Sequence, residues 1–177
     1  NNQTKLLLSK ESNESVPQNQ SNTPVTPKKS EKDGLNDLSL DSIITRLKDT
    51  FSLPVVSRLK VLANNSYTKL KWFSDTIFKA KSQVTKKLLS NAKWLYNPAS
   101  QEATHFESNE LLKRGLESAL LQIAEIVYKG KEKVQNEAKF IYVYLRNFMA
   151  NAVKQYLIDN YELTEDDEID LNLLLRF

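Results

Sequence analysis

The sequence contains no cysteine, one histidine, His105, and three glycines, Gly34, Gly115 and Gly130. Without cysteine there are no disulfides and no thiolate chemistry, a composition suited to a reducing compartment. One histidine and no cysteine leave out the usual zinc sites and the common nucleophile-base pairs. His105 itself reads as a solvent-facing loop residue. Three scattered glycines build no phosphate-cradling loop. The carboxylates Glu165, Asp166, Asp167, Glu168 and Asp170 lack the glycine and the spacing of a calcium loop and read as a solvated run. Long apolar runs are missing too, since the longest, "FIYVYL" at 140–145, falls far short of the ~18 residues that span a bilayer. These absences point away from an enzyme and imply neither a cofactor nor a metal.

What is present is polar and unevenly charged. An apolar share of 40% and a mean hydropathy of -0.50 predict one modest core and some chain outside it. The net charge of +3 hides a strong segregation: residues 1–52 are balanced, 53–98 carry nine cations and one acid, and 99–177 carry nine cations and fourteen acids. Such asymmetry marks a surface-binding element in the basic part.

Residues 1–37 are dominated by Asn, Gln, Ser, Thr, Lys and Glu and hold three prolines. They bury too little surface to offset their ordering entropy, so a disordered tail is predicted over 1–38. Thr23-Pro24 and Thr26-Pro27 resemble proline-directed phosphorylation sites, although such dipeptides are common in linkers. From Ser39 onward Leu40, Ile43, Ile44, Leu47 and Phe51 are spaced as one face of a short helix. Pro54 is placed to open the next helix, where its missing N–H costs nothing. The 43 residues before Pro98 contain no glycine, and as one helix would reach about 65 Å. Asn64-Asn65-Ser66 is its weak point, three poor helix formers in a row.

Beyond Pro98, Thr104 and Glu107 have the spacing of a capping box. The helix that follows should stop at Gly130. A second helix carries Val134, Ala138, Ile141, Leu145, Phe148, Ala152 and Tyr156 on one face, and two amphipathic helices joined at a glycine predict an antiparallel hairpin over 99–160. Residues 161–177 form an acidic run with an apolar tip, which reads as a cap on the hairpin's core, with a partner as the alternative.

The basic segment, 39–98 with its leading helix, repeats every eleven residues. Val56, Tyr67, Phe78 and Leu89 form one column, Leu62, Phe73, Val84 and Leu95 another, Val55, Ser66, Ile77 and Leu88 a third, and Leu59, Leu70, Lys81 and Ala92 a fourth broken by its lysine. At about 3.67 residues per turn the stripe stays on one side of a nearly straight helix. The columns share an arc of roughly 130°, the width of a helix lying on a surface or a core. Cations line both edges of the arc, where methylenes can cover apolar surface while the charge reaches headgroups. Trp72 and Trp94 share a column nearly opposite the arc, which implies a second contact line or a break in the helix after Ser66.

The stretch "DSIITRLKDTFSLPVVSRLKVLANNSYTKLK" resembles the start of the perilipins, lipid-droplet coat proteins. Arg46-Leu47, then Leu53-Pro54-Val55-Val56-Ser57, then Tyr67 with Lys69 and Lys71 are the counterparts. The order of regions is similar as well. The resemblance covers about 30 residues, and it implies a coat protein of neutral-lipid stores.

The sequence thus predicts an all-α protein with a disordered N-terminal tail, a long basic amphipathic helix of eleven-residue periodicity and a C-terminal helical hairpin. Its expected partner is a phospholipid monolayer or membrane surface. Tyr67, Phe73, Ile77, Phe78, Val84, Leu88 and Leu89 are expected to insert, and Lys69, Lys71, Lys79, Lys86, Lys87 and Lys93 to contact headgroups. The expected location is a lipid-droplet surface or a cytoplasmic membrane face, with a cytoplasmic pool when unbound. Self-association or a protein partner is assigned to the hairpin. The alternative is a soluble three- or four-helix bundle over 39–160, acting as a protein-interaction module with the arc as its core. Nucleic-acid binding ranks lower, because Arg58 is the only arginine among the nine cations of 53–98 and recognition of phosphates and base edges favours arginine.

Overall fold

A computed structural model describes residues 31–177, with side chains from residue 34. All regular elements among the described residues are helices, and none is a strand. The elements are α1 (Glu31–Lys48), α2 (Leu53–Leu62), α3 (Tyr67–Leu89), α4 (Ala92–Leu95), α5 (Pro98–Thr104), α6 (Glu110–Tyr128), α7 (Glu137–Asn160) and α8 (Glu165–Leu174). Most of the expected tail lies outside the described residues. Its last eight positions are helical, and the Asn36 carboxamide ties α1 to the start of α3: its Nδ2 donates to the Asn65 carbonyl at 3.4 Å and its Oδ1 accepts from the Tyr67 N–H at 3.1 Å.

The long basic helix is divided, first at the expected weak point Asn64-Asn65-Ser66. Asn64 and Asn65 both take positive φ, 50° and 54°, a left-handed conformation that asparagine tolerates better than other side-chain-bearing residues. Ser66 then restarts the chain as the cap of α3. A second break follows Leu89, where Asn91 caps α4 and Asn97 caps α5 ahead of Pro98. The longest piece, α3, has 23 residues and spans about 35 Å. Pro54 opens α2 within its first turn, as its chemistry demands.

α6 and α7 form the hairpin. Asn109 lies against Ala152 and Gly115 against Phe148, so the two helices run antiparallel. The start of α6 differs from the sequence reading. Thr104 ends α5, its hydroxyl donating back to the Ser100 carbonyl at 2.8 Å, while Asn109 caps α6 by accepting from the N–H groups of Leu111 and Leu112. The fully buried Asn109 also donates to the carbonyls of Ala103 and Ala152, so one carboxamide joins α5, α6 and α7. α6 stops at Tyr128, just before Gly130, where a Cβ would fall 2.4 Å from the Ile126 carbonyl oxygen.

α7 is central, packed against α6 on one side and α3 on the other, with α2 on α6 and α1 on α3. Residues 39–98 and 99–160 therefore contribute to one continuous core. Leu171 and Leu175 of the C-terminal segment close it, which makes the apolar tip a cap on the core. Thr164 and Asp167 form a reciprocal capping box for α8, and the acids of its first turn face the positive end of the helix dipole.

Candidate functional site

Opposite its buried face, α3 presents exposed Lys71, Trp72, Asp75, Lys79, Gln83 and Lys86, with Lys69 at the margin. Asp75 is the only acid of 53–98. It accepts from Lys71 at 2.5 Å, and that hydrogen bond and the charge behind it raise the Lys71 pKa. Lys93 is held by Asp167 of α8, whose carboxyl is lowered by hydrogen bonds from Lys93 and from Thr164. Among the described residues no carboxylate pairs with Lys69, Lys79, Lys86 or Lys87. Lys79 instead stands 5.3 Å from the centre of the Tyr142 ring, and the half-buried Lys87 stands 5.5 Å from that of Phe177.

The apolar arc points the other way. Phe73, Ile77, Val84 and Leu88 are all at most 2% exposed. These four residues fill the core against α7 because two matched apolar faces in one chain bury each other before either meets an outside surface. The column of Tyr67, Phe78 and Leu89 lies at the arc's edge, with Tyr67 and Leu89 partly buried and Phe78 38% exposed. In this closed bundle, then, three of the seven residues expected to insert are accessible. Lys81, which interrupts the arc, ties α3 to α5. Its Nζ donates to the Thr104 carbonyl at the end of α5, 3.0 Å away, and burial lowers its pKa.

The two tryptophans do not form one contact line. Trp72 stays on the outward face of α3, edge-on to Phe73, whereas Trp94 is buried in α4 because the helix breaks before it. Sequence reasoning missed the groove between α1 and α3, a cavity of about 750 Å³. It brings Tyr67, Lys71 and Phe78 together with Arg46, Leu38 and Ile43. Arg46 and Leu47 of α1 meet Tyr67 and Lys71 of α3 there, although about 20 residues of chain separate the two pairs. The signal was present in that stretch, but only the turns at Phe51 and Asn64-Asn65 bring its ends together.

A second polar cluster joins the hairpin to the tail. The Tyr161 hydroxyl donates to Glu102 at 2.6 Å and Tyr156 does so at 3.3 Å. That hydrogen bond, followed by burial and the carboxylate charge, pushes the Tyr161 pKa up to about 12. Among the described residues no group of carboxylates and histidine can hold a metal ion, and no helix is long and apolar enough to cross a membrane. In comparison with known proteins, no family model matches the chain, no curated protein matches its sequence and no solved structure matches its fold.

Proposed function

We propose that the protein is a non-enzymatic binder of anionic phospholipid surfaces that makes first contact through the outward face of α3. The observation that carries this reading is the separation of charge: the unpaired Lys69, Lys79 and Lys86 share the outward side of α3 with an exposed tryptophan, while the carboxylates of the chain are concentrated beyond residue 98. A cation near an anionic leaflet is worth about 1 kcal/mol. Three such cations, Lys69, Lys79 and Lys86, give weak, salt-sensitive adsorption, and an apolar contact must add to it. Trp72 and Phe78 are in place for that contact, and the α1–α3 groove sets Arg46 and the Lys71–Asp75 pair beside Leu38, Ile43 and Phe78, so that Arg46 is the cation beside an apolar wall that suits an acyl chain beneath its headgroup. Deeper insertion of Phe73, Ile77, Val84 and Leu88 requires α3 to leave α7. The perilipin resemblance points to the droplet monolayer as the surface and to coating as the role.

Flotation with triglyceride emulsions coated in phospholipid, beside anionic and neutral liposomes, tests this reading. Binding to anionic particles, and a loss of about 100-fold in partitioning when Lys69, Lys79 and Lys86 are changed to Gln, is the expected outcome, from ~1 kcal/mol per cation. The second reading, a soluble protein-interaction bundle, is favoured by the completeness of the core. A fully helical chain that stays at the bottom of every gradient would support it and sink the first.

A further inference from the structure

Between α7 and the end of the C-terminal segment lies an open surface cavity of about 340 Å³, whose side chains Asn147, Asn151, Asn172 and Arg176 are exposed, distinct from the α3 face and the α1–α3 groove. Its polar walls are Asn147, Asn151 and Lys154 of α7 with Asn172 and Arg176, and the Phe177 ring closes one side. No Asp or Glu side chain lines it. Lys154 and Arg176 have no ion pair among the described residues. The last turn of α8 does not consume them, because the N–H groups of Leu175 and Arg176 already satisfy the carbonyls of Leu171 and Leu173. Behind Phe177 stand two more cations: the Arg146 guanidinium lies 4.5 Å from the ring centre and Lys87 lies 5.5 Å from it. Arg146 also donates to the Asn147 Oδ1 at 3.4 Å, which leaves the Nδ2 donor as the group Asn147 can offer the cavity.

A polar cavity with two cations outside any ion pair, three carboxamides and no Asp or Glu side chain suits an anion that accepts several hydrogen bonds at once. We infer that this cavity is a binding site for a phosphate monoester, with Lys154 and Arg176 as the charge partners of the dianion and Asn147, Asn151 and Asn172 as its neutral donors. Two cations match a dianionic terminal phosphate better than a singly charged diester. The volume leaves room for the organic group, which the Phe177 ring would cover. The inference goes beyond the surface-binding reading and does not depend on it.

Titration of the full chain with glycerol 3-phosphate at constant ionic strength, followed by amide and side-chain carboxamide NMR shifts, tests it. Saturable shifts confined to the surroundings of Asn147, Asn151, Asn172 and Arg176, at least tenfold weaker in Lys154→Gln/Arg176→Gln, are the expected result. The Lys69, Lys79 and Lys86 to Gln variant should bind the ester normally, which separates this site from the α3 face. Dimethyl phosphate, a diester monoanion, should bind at least tenfold more weakly. Vesicles of phosphatidic acid in phosphatidylcholine then identify the source: if the double variant also floats less well with them, the monoester is a lipid headgroup, and if it floats equally well the ligand is a soluble ester. Shifts spread along α3, equal shifts with dimethyl phosphate, or unchanged affinity in a double variant that melts like the parent would overturn the assignment.

Discussion

Replacing Phe73 and Phe78 separately by Ala sets apart two residues of one apolar arc that the fold treats differently. Phe73 is 2% exposed and Phe78 38%. A phenylalanine carries roughly 200 Å² of buriable surface, so the difference amounts to about 70 Å², or about 2 kcal/mol at ~25 cal/mol per Å². Phe73→Ala also leaves a cavity among Ile77, Leu70 and their neighbours, which places its full cost at about 3 to 5 kcal/mol. Phe78→Ala loses a stacked contact with Phe51 at 5.6 Å and less buried surface, so it should cost about 2 kcal/mol less than Phe73→Ala. In urea unfolding of the full chain followed by circular dichroism, a slope of ~2 kcal/mol per molar turns that gap into a midpoint about 1 M lower for Phe73→Ala. Equal midpoints for the two variants would mean that Phe73 does not face α7, and the closed bundle would have to be abandoned.

Other consequences are equally open to measurement. Asn65→Val places a β-branched residue at a φ of 54° and should lower stability by about 1 to 2 kcal/mol, whereas Asn65→Gly should be close to neutral; thermal melts of the pair decide. Lys81→Leu leaves the buried end of α5 with an unpaired Thr104 carbonyl and should cost about 1 kcal/mol or more although it repairs the apolar column; a more stable variant would refute the proposed hydrogen bond. Tyr161 ionises at about 12 when folded and near ~10 when unfolded, so its contribution is complete below the unfolded value and declines as pH rises from there toward 12. Tyr161→Phe should flatten that alkaline decline and remove the latest-ionising tyrosine from an absorbance titration. The Asp167 carboxyl is lowered by Lys93, so Lys93→Ala should weaken the loss of stability as pH falls through the carboxylate range, read in acid melts.

The sequence carried the start of α2 and many buried positions, because those depend on local chemistry, but it placed the start of α6 at Thr104 instead of Asn109 and began the second hairpin helix at Val134, ahead of α7. Pro54 could only begin a helix cheaply, Gly130 marks a place where a Cβ has no room, and Leu40, Ile44, Leu47, Ile141 and Leu145 are buried as their spacing requires. The eleven-residue pattern was also real, yet it gave the orientation of α3 and not its partner. An apolar arc of that width suits a lipid surface or a protein core alike, and only the presence of α7 decided which face filled it. Thr104 and Asn109 compete to cap α6, and the distant carbonyl of Ala152, which Asn109 alone reaches, tips the choice. The α1–α3 groove and the cavity beside Phe177 were invisible for a related reason: each joins residues that no periodicity links, and turns between helices bring them together.

The proposed contact between α3 and lipid is tested most directly by fluorescence of Trp72 in a Trp94→Phe variant, chosen because the buried Trp94 would otherwise contribute a fixed background. With vesicles of phosphatidylserine and phosphatidylcholine, docking through α3 should produce a blue shift of Trp72 emission and protection from iodide, both reversed by salt and absent with phosphatidylcholine alone. Emission that stays unchanged at saturating anionic vesicles would contradict it and leave the outward face of α3 without a lipid partner.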